Sequence, residues 1–245
     1  MEERRATALA GTDAGTNGWA TRVFLQPIAP PSILGLAGFS VATLMVSLIQ
    51  AGLLGTWADI AVVGIFAATF GGIAQFAAAL WSFRARDAVA LLAHGTWGSF
   101  WMAFGIVSIL IIAGQLAPPA HAANYALGLW FLGLAYMTAI AAMGATLHHF
   151  GVASVLWTLA AGSGLSAAGW FLGGIGNTWL AAGGWLFICS AALAAYTVLS
   201  MVLLSVSGRA ILPSGEYKKA ANVPGRKPVR AIELDWAEPG IKQGQ

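Results

Sequence analysis

A bundle of six membrane-spanning helices is the all-α fold this sequence predicts, on three observations. Of 245 residues, 58% are hydrophobic and only 9% are charged, where a soluble domain carries about 25% charged residues. Between Ile60 and Ser207 the only charged side chains are Arg84, Arg86 and Asp87. No water-soluble fold has interior enough for so much apolar chain; a bilayer does. The apolar stretches also come in the right length, near the ~20 residues that cross a hydrocarbon core of about 30 Å.

The first span, about 33–54, is introduced by "PPSILGLAGFS" (30–40). Prolines suit a first helical turn, whose N–H groups have no partner to lose. Gly35 and Gly38 follow, each costing about 1 kcal/mol relative to alanine, so they call for a packing reason. The second span, about 60–82, ends at the charged run "RARD" (84–87). "AVALLAH" (88–94) reads as an interfacial segment ahead of a third span at about 95–114. The two prolines of "QLAPPAHAAN" (115–124) make a turn before the fourth, about 125–147. The fifth and sixth are expected at about 152–172 and 178–205. The transmembrane domain is thus 30–206. Residues 1–29 and 207–245 are expected to be tails, disordered in large part. The N-terminal stretch lacks the 7–15-residue apolar core of a signal peptide.

Six spans put both termini on one face, and basic residues choose which. Arg4, Arg5 and Arg22 precede the first span, and Arg84 and Arg86 separate the second from the third. Seven more, from Arg209 to Lys242, follow the sixth. All 12 fall on the same side, so both termini are expected in the cytoplasm of a multi-pass plasma-membrane protein. The net charge of +3 comes mostly from the C-terminal tail and signals no nucleic acid. Within that tail, "EYKKAANVPGRKPVR" (216–230) suits a solvated segment or one that touches anionic lipid.

Helical spacing gathers small and polar residues into four stripes. They are Gly35, Phe39, Thr43, Ser47 and Gln50 in the first span; Gly64, Ala68, Gly71, Gly72, Gln75 and Ala79 in the second; Thr158, Leu159, Gly162, Ser166, Gly169 and Gly173 in the fifth; and Gly183, Ser190, Ala194 and Thr197 in the sixth. Tight helix packing and a narrow polar path both fit such stripes. Gln75 stands out because an unpaired amide in hydrocarbon is costly. Trp97, Trp101 and Phe104 form a further stripe, for which spacing alone leaves a lipid-facing or inter-subunit surface and a functional, inward-facing role evenly balanced. Trp57 and Trp179 suit an interfacial belt.

Catalysis and metal binding find little support. "AGSG" (161–164) has the look of an intramembrane serine motif, but no histidine follows His149 to act as base, so Ser163 reads as a packing residue. No enzyme activity and no cofactor is expected. His148 and His149 lack further metal ligands, Cys189 has no disulfide partner, and His94 is expected at the membrane boundary in contact with water.

Several stretches resemble, in order, segments of the acetate uptake transporter family, six-span carriers or channels for acetate and succinate. "LGLAGF" (34–39) resembles the family's opening Asn-Pro-Ala-Pro-Leu-Gly-Leu. "FGGIAQF" (70–76), "GTWGSFW" (95–101), "YALGLW" (125–130) and "GWLFIC" (184–189) resemble further segments, and "GRAILPSGE" (208–216) the C-terminal Gly-Arg-x-x-Leu-Pro signature. The resemblance implies a homo-oligomer, a hexamer with one pore per protomer, narrowed by three hydrophobic residues. Here these are Phe39, Trp97 in place of the family's tyrosine, and Leu159. The family's opening Asn is Pro30 in this chain and its second proline is Ile33.

With no cation inside the membrane, helix N-termini near Ser32 and Gly95 are the expected positive ends. Hydroxyls of Thr43, Thr96 and Ser99 and the Gln75 amide are expected to replace water along the path of acetate or another small carboxylate. Channel and proton-coupled carrier both fit these residues. So do a non-transporting scaffold subunit that kept the fold, and a pore for another small solute. The topology has a direct check: with Cys189 removed, single cysteines at positions 57 and 120 should react from outside intact cells. Those at 85 and 220 should react only after permeabilisation; labelling of 220 in intact cells would refute the assignment.

Overall fold

In the computed structural model, residues 29–215 and Tyr217 are described; the N-terminal tail before them and the basic stretch from 218 lie outside the described residues. Helix α1 runs Pro31–Gln50, with proline in its first turn. It stops short of the predicted end because Gly52 and Gly55 turn the chain with φ of 74° and 75°, which leaves Leu53 and Leu54 exposed. The second span is one rod of 26 residues, Ile60–Ala85. It consists of α2 (Ile60–Ala67), a π-helical stretch (Ala68–Ala74) and α3 (Gln75–Ala85).

Helix α4 spans Ala88–Ile112. Its first turn is fixed by the Asp87 carboxylate, which accepts from Ala90 N–H at 2.9 Å. "AVALLAH" therefore belongs to the helix and not to an interfacial segment. The positive helix end lies beside Asp87, two turns before Gly95. Helix α5 (Tyr125–Thr146) is capped by Asn124, which accepts from Leu127 N–H. Helix α6 (Phe150–Leu172) is capped by His149, whose Nδ1 accepts from Val152 N–H at 3.2 Å. Burial, then the neighbouring His148, lowers the His149 pKa below its ordinary value and favours the neutral ring that can accept. Helix α7 (Thr178–Ser207) is capped by Asn177.

The helices form a closed circuit: α5 packs on α6, α6 on α7, α7 on α1, α1 on the second span, that span on α4, and α4 back on α5. Six of these segments are long and apolar enough to cross a membrane. Both described ends lie on the face that carries the Arg84–Asp87 turn. Pro30 and Pro31 lie with Ala78 and Trp81 around one cleft, while Phe150 N–H donates to Gly215 O and Tyr217 N–H to His148 O. We call this the terminal face.

Lipid supplies no hydrogen-bond partners, so polar groups inside must pair with one another. Gln50 Nε2 donates to Ser166 Oγ and Leu180 O, both at 2.9 Å, joining α1 to α6 and α7. Ser40 Oγ donates to Ala191 O and Ser190 Oγ to Val155 O. The stripes of α6 and α7 thus work mainly as fasteners.

Close approach explains Gly38. A Cβ there would overlap the carbonyl oxygen of Phe70 in the π-helical stretch, so α1 reaches the second span only without a side chain at that position. Gly38→Ala should therefore lose stability by about 1–3 kcal/mol, the usual range for overpacking, read as a lower thermal midpoint in detergent. Gly133→Ala, with nothing within 4 Å of the added carbon, should not. Equal midpoints for the two would refute the close-approach account.

Candidate functional site

The site begins with Trp97 on α4, which is 2% exposed. Its indole meets Phe39 of α1 edge-on at 5.9 Å between centroids, Phe100 at 5.2 Å and Phe187 of α7 at 6.1 Å. Each such pair adds about 0.5–1.5 kcal/mol beyond simple burial. The ring is also tethered: Nε1–H donates to Thr138 Oγ1 of α5 at 2.9 Å. Four helices thus converge on one indole and fill the centre of the bundle with aromatic carbon. The Trp97–Trp101–Phe104 stripe consequently faces the protomer interior: Trp97 and Trp101 are buried and Phe104 half-buried. Spacing alone left this balanced against a lipid or subunit surface because it could not say which way an apolar face turns inside a bilayer. Trp57, expected in an interfacial belt, is half-buried and packs edge-on against Trp170 at 5.8 Å.

Trp97 and Phe100 are part of the wall of a cavity of about 480 Å³ whose other walls include the turns of the opposite face. Its mouth includes Trp57, Pro119 and Asn124, and α1 contributes Thr43, Ser47 and Gln50. Among the described residues, no charged side chain lines it. Ser47 Oγ is engaged with Leu44 O and Gln50 is spent on α6 and α7. Thr43 Oγ1 is buried with no hydrogen-bond partner, one turn beyond Phe39 on α1.

On the terminal side of the aromatic plug lies a second polar group. Gln75, 2% exposed, places Nε2 3.4 Å from His94 Nδ1, while its Oε1 has no partner. His94 is 3% exposed, not a boundary residue in water. The reason is the early start of α4, which carries position 94 nearly two turns into the helix.

The remaining expected residues lie elsewhere. Leu159 is 1% exposed and belongs to the same apolar core as Phe39 and Trp97 but is not part of the cavity wall. Thr96 is half-buried and Ser99 exposed, its hydroxyl folded back on Gly95 O at 2.7 Å. Neither lines the cavity. Ser163 is buried with its hydroxyl bonded to Leu159 O, as suits a packing residue. Thr138, Phe100 and Phe187 were not singled out from the sequence; the two phenylalanines stand in quoted segments but carry no spacing signal linking them to Trp97.

Six spans surrounding a cavity walled in part by clustered aromatic rings describe a multi-pass membrane protein. The chain belongs to the GPR1/FUN34/yaaH family, whose sequence pattern it matches over residues 14–214. It is 31% identical over 190 residues to the succinate-acetate/proton symporter SatP of Escherichia coli K12, covering 77% of this chain and 96% of that protein. It is 30% identical over 178 residues to the ammonia transport outward protein 2 of Saccharomyces cerevisiae, covering 70% of this chain and 61% of that one. Its fold matches the solved structure of the bacterial acetate channel SatP with a TM-score of 0.66 at 26% identity, covering 76% of this chain and 98% of that one.

Proposed function

We infer that the chain is a plasma-membrane path for a small monocarboxylate such as acetate, with both termini in the cytoplasm and Phe39, Trp97 and Leu159 as the constriction. The observation that carries this reading is the layering along α1 and α4. Thr43 and the uncharged cavity lie on one side of the Phe39–Trp97 contact and Gln75 on the other, and each keeps a buried polar atom without a partner. An orphan polar atom in an apolar core costs about 1–3 kcal/mol; those of Thr43 and Gln75, together with the unpartnered Trp101 and Trp170 N–H groups on the cavity wall, suit a polar solute that pauses there. The family and its acetate-carrying relatives support the solute class. Thr96 and Ser99 do not line the cavity.

The test is flux. Proteoliposomes holding the protein should take up labelled acetate above empty vesicles, and uptake equal to empty vesicles would end the proposal. Trp97→Ala should raise the flux and admit acids of three or four carbons, because the indole fills the centre. Leu156→Ala, equally buried but outside the cavity wall, controls for lost packing, which by itself is expected to cost about 2–5 kcal/mol of stability without widening selectivity. Unchanged flux from a folded Trp97→Ala protein would take Trp97 out of the constriction.

The same reading includes a closed homo-oligomer, a ring of six. What supports it is the resemblance to a hexameric family together with the aromatic and small-residue surface available for subunit contacts. Native mass spectrometry in mild detergent should give a single ring mass, and a monomer across several detergents would exclude it.

A further inference from the structure

We propose that His94 and Gln75 form a binding and proton-exchange site for a short carboxylic acid, one helical turn on the terminal side of the Phe39–Trp97 plug; this rests on the transport reading above. Three helices build the place. His94 stands on α4 one turn before Trp97, and Gln75 opens α3. Gly35 stands on α1 one turn before Phe39. A Cβ at Gly35 would sit 2.5 Å from His94 Cε1 and 2.6 Å from both ring nitrogens. The nitrogen-bearing edge of the ring thus packs directly against α1, in space the ring can occupy only because residue 35 has no side chain. This is the packing reason that Gly35 calls for.

The pairing leaves capacity unused. Gln75 Nε2 meets His94 Nδ1, and Oε1 meets nothing. If the amide is turned the other way, the same holds with the atoms exchanged, so one end of a fully buried amide stays open in either orientation. With Nδ1 occupied by the amide, Nε2 is the ring nitrogen left to exchange a proton. A carboxylic acid fits this pair: one oxygen at Nε2 and the other at the free end of the amide.

Among the described residues, no second ionisable group faces this one from the packed elements. Helix α1 has none. The second span has Arg84 alone, exposed near its terminal end and stacked on Trp81. On α4, Asp87 is bonded at the helix start. Tyr125 and Tyr136 of α5 are exposed.

In the imidazolium Nδ1 carries a proton, so the Gln75 amide is turned to accept it through Oε1 and its NH2 group is the free end that meets the carboxylate. A carboxylate reaching this imidazolium takes the Nε2 proton; the N–H bond breaks, an O–H bond forms, and ring and acid are both neutral. The neutral acid passes the aromatic plug, and its O–H proton is released to water in the cavity beyond. The ring is reprotonated by a hydronium ion from the terminal side. In the opposite direction each step reverses, so one proton travels with each carboxylate.

The experiment compares full-length wild type, His94→Gln and His94→Phe in proteoliposomes. Labelled acetate uptake and lumenal pH are followed together over about pH 4–8. Wild type should show one proton moved per acetate and a pH-dependent step. Both variants should lose that step, with uptake at neutral pH reduced on the order of tenfold, as for loss of a hydrogen bond to a charged group. If His94→Phe does not fold, His94→Gln alone decides. A variant with the wild-type pH profile and proton ratio overturns the proposal. Nitrogen-15 spectra of the imidazoles in wild type, recorded with and without acetate, separate the two readings. No wild-type flux ends the transport reading, while a His94 ring signal, assigned by its absence in His94→Gln, that ignores acetate ends the site.

Discussion

Three indoles are buried in this bundle, and the membrane interior offers their N–H groups no acceptor. Among the described residues Trp101 and Trp170 have none, whereas Trp97 donates to one hydroxyl, Thr138 Oγ1. That single bond fixes the rotation of Trp97, and with it the faces shown to Phe39, Phe100 and Phe187. Without the tether the ring could tilt along α4 and the centre of the bundle would be soft. With it, four helices are indexed to one another through a side chain at their common centre. The substitution of tryptophan for the tyrosine expected from the family resemblance gains meaning here. A phenol can donate and accept, whereas an indole can only donate, and here the hydroxyl of Thr138 receives it.

The small-residue stripes divide into two kinds once partners are assigned. Ser166, Ser190 and Thr197 are bonded to neighbouring helices or to their own backbone; they close the α1–α6–α7 side of the bundle and are then saturated. Thr43 and Gln75 are not saturated. The distinction follows from chemistry rather than position: a hydroxyl that has given its hydrogen to a carbonyl has no donor left for a solute, whereas an unpartnered hydroxyl or amide keeps its capacity.

Much of the fold was legible because lipid imposes a coarse rule. Apolar runs of about 20 residues separated by charges or prolines located all six spans. Boundaries failed where capping overrode hydropathy. Asp87 starts α4 well before the apolar run suggested, and Gly52 ends α1 before its leucines run out. The first error carried a second, since placing His94 at a helix start put it in water. In the site, Phe39, Thr43, Gln75 and Trp97 were reachable through the stripes and the family resemblance. Thr138 was not, because nothing along the chain pairs it with a residue 41 positions away. Ser99 misled because hydroxyl chemistry was read without direction; on this helix it points outward and bonds its own backbone.

The character of the plug bears on what can pass it. Moving a bare carboxylate into apolar surroundings is far more costly than moving its neutral acid, and neither the cavity nor the Phe39–Trp97 contact supplies a compensating charge. A carboxylic acid with pKa near 4.3 is only about 0.2% neutral at pH 7, so an aromatic stop of this kind favours solutes that can shed charge at its threshold. The solutes in the names of two relatives, acetate and ammonia, share that property. Each is small and interconverts between an ion and a neutral form by one proton. In this chain the side chains next to the aromatic cluster on the terminal side are an imidazole and a half-satisfied amide.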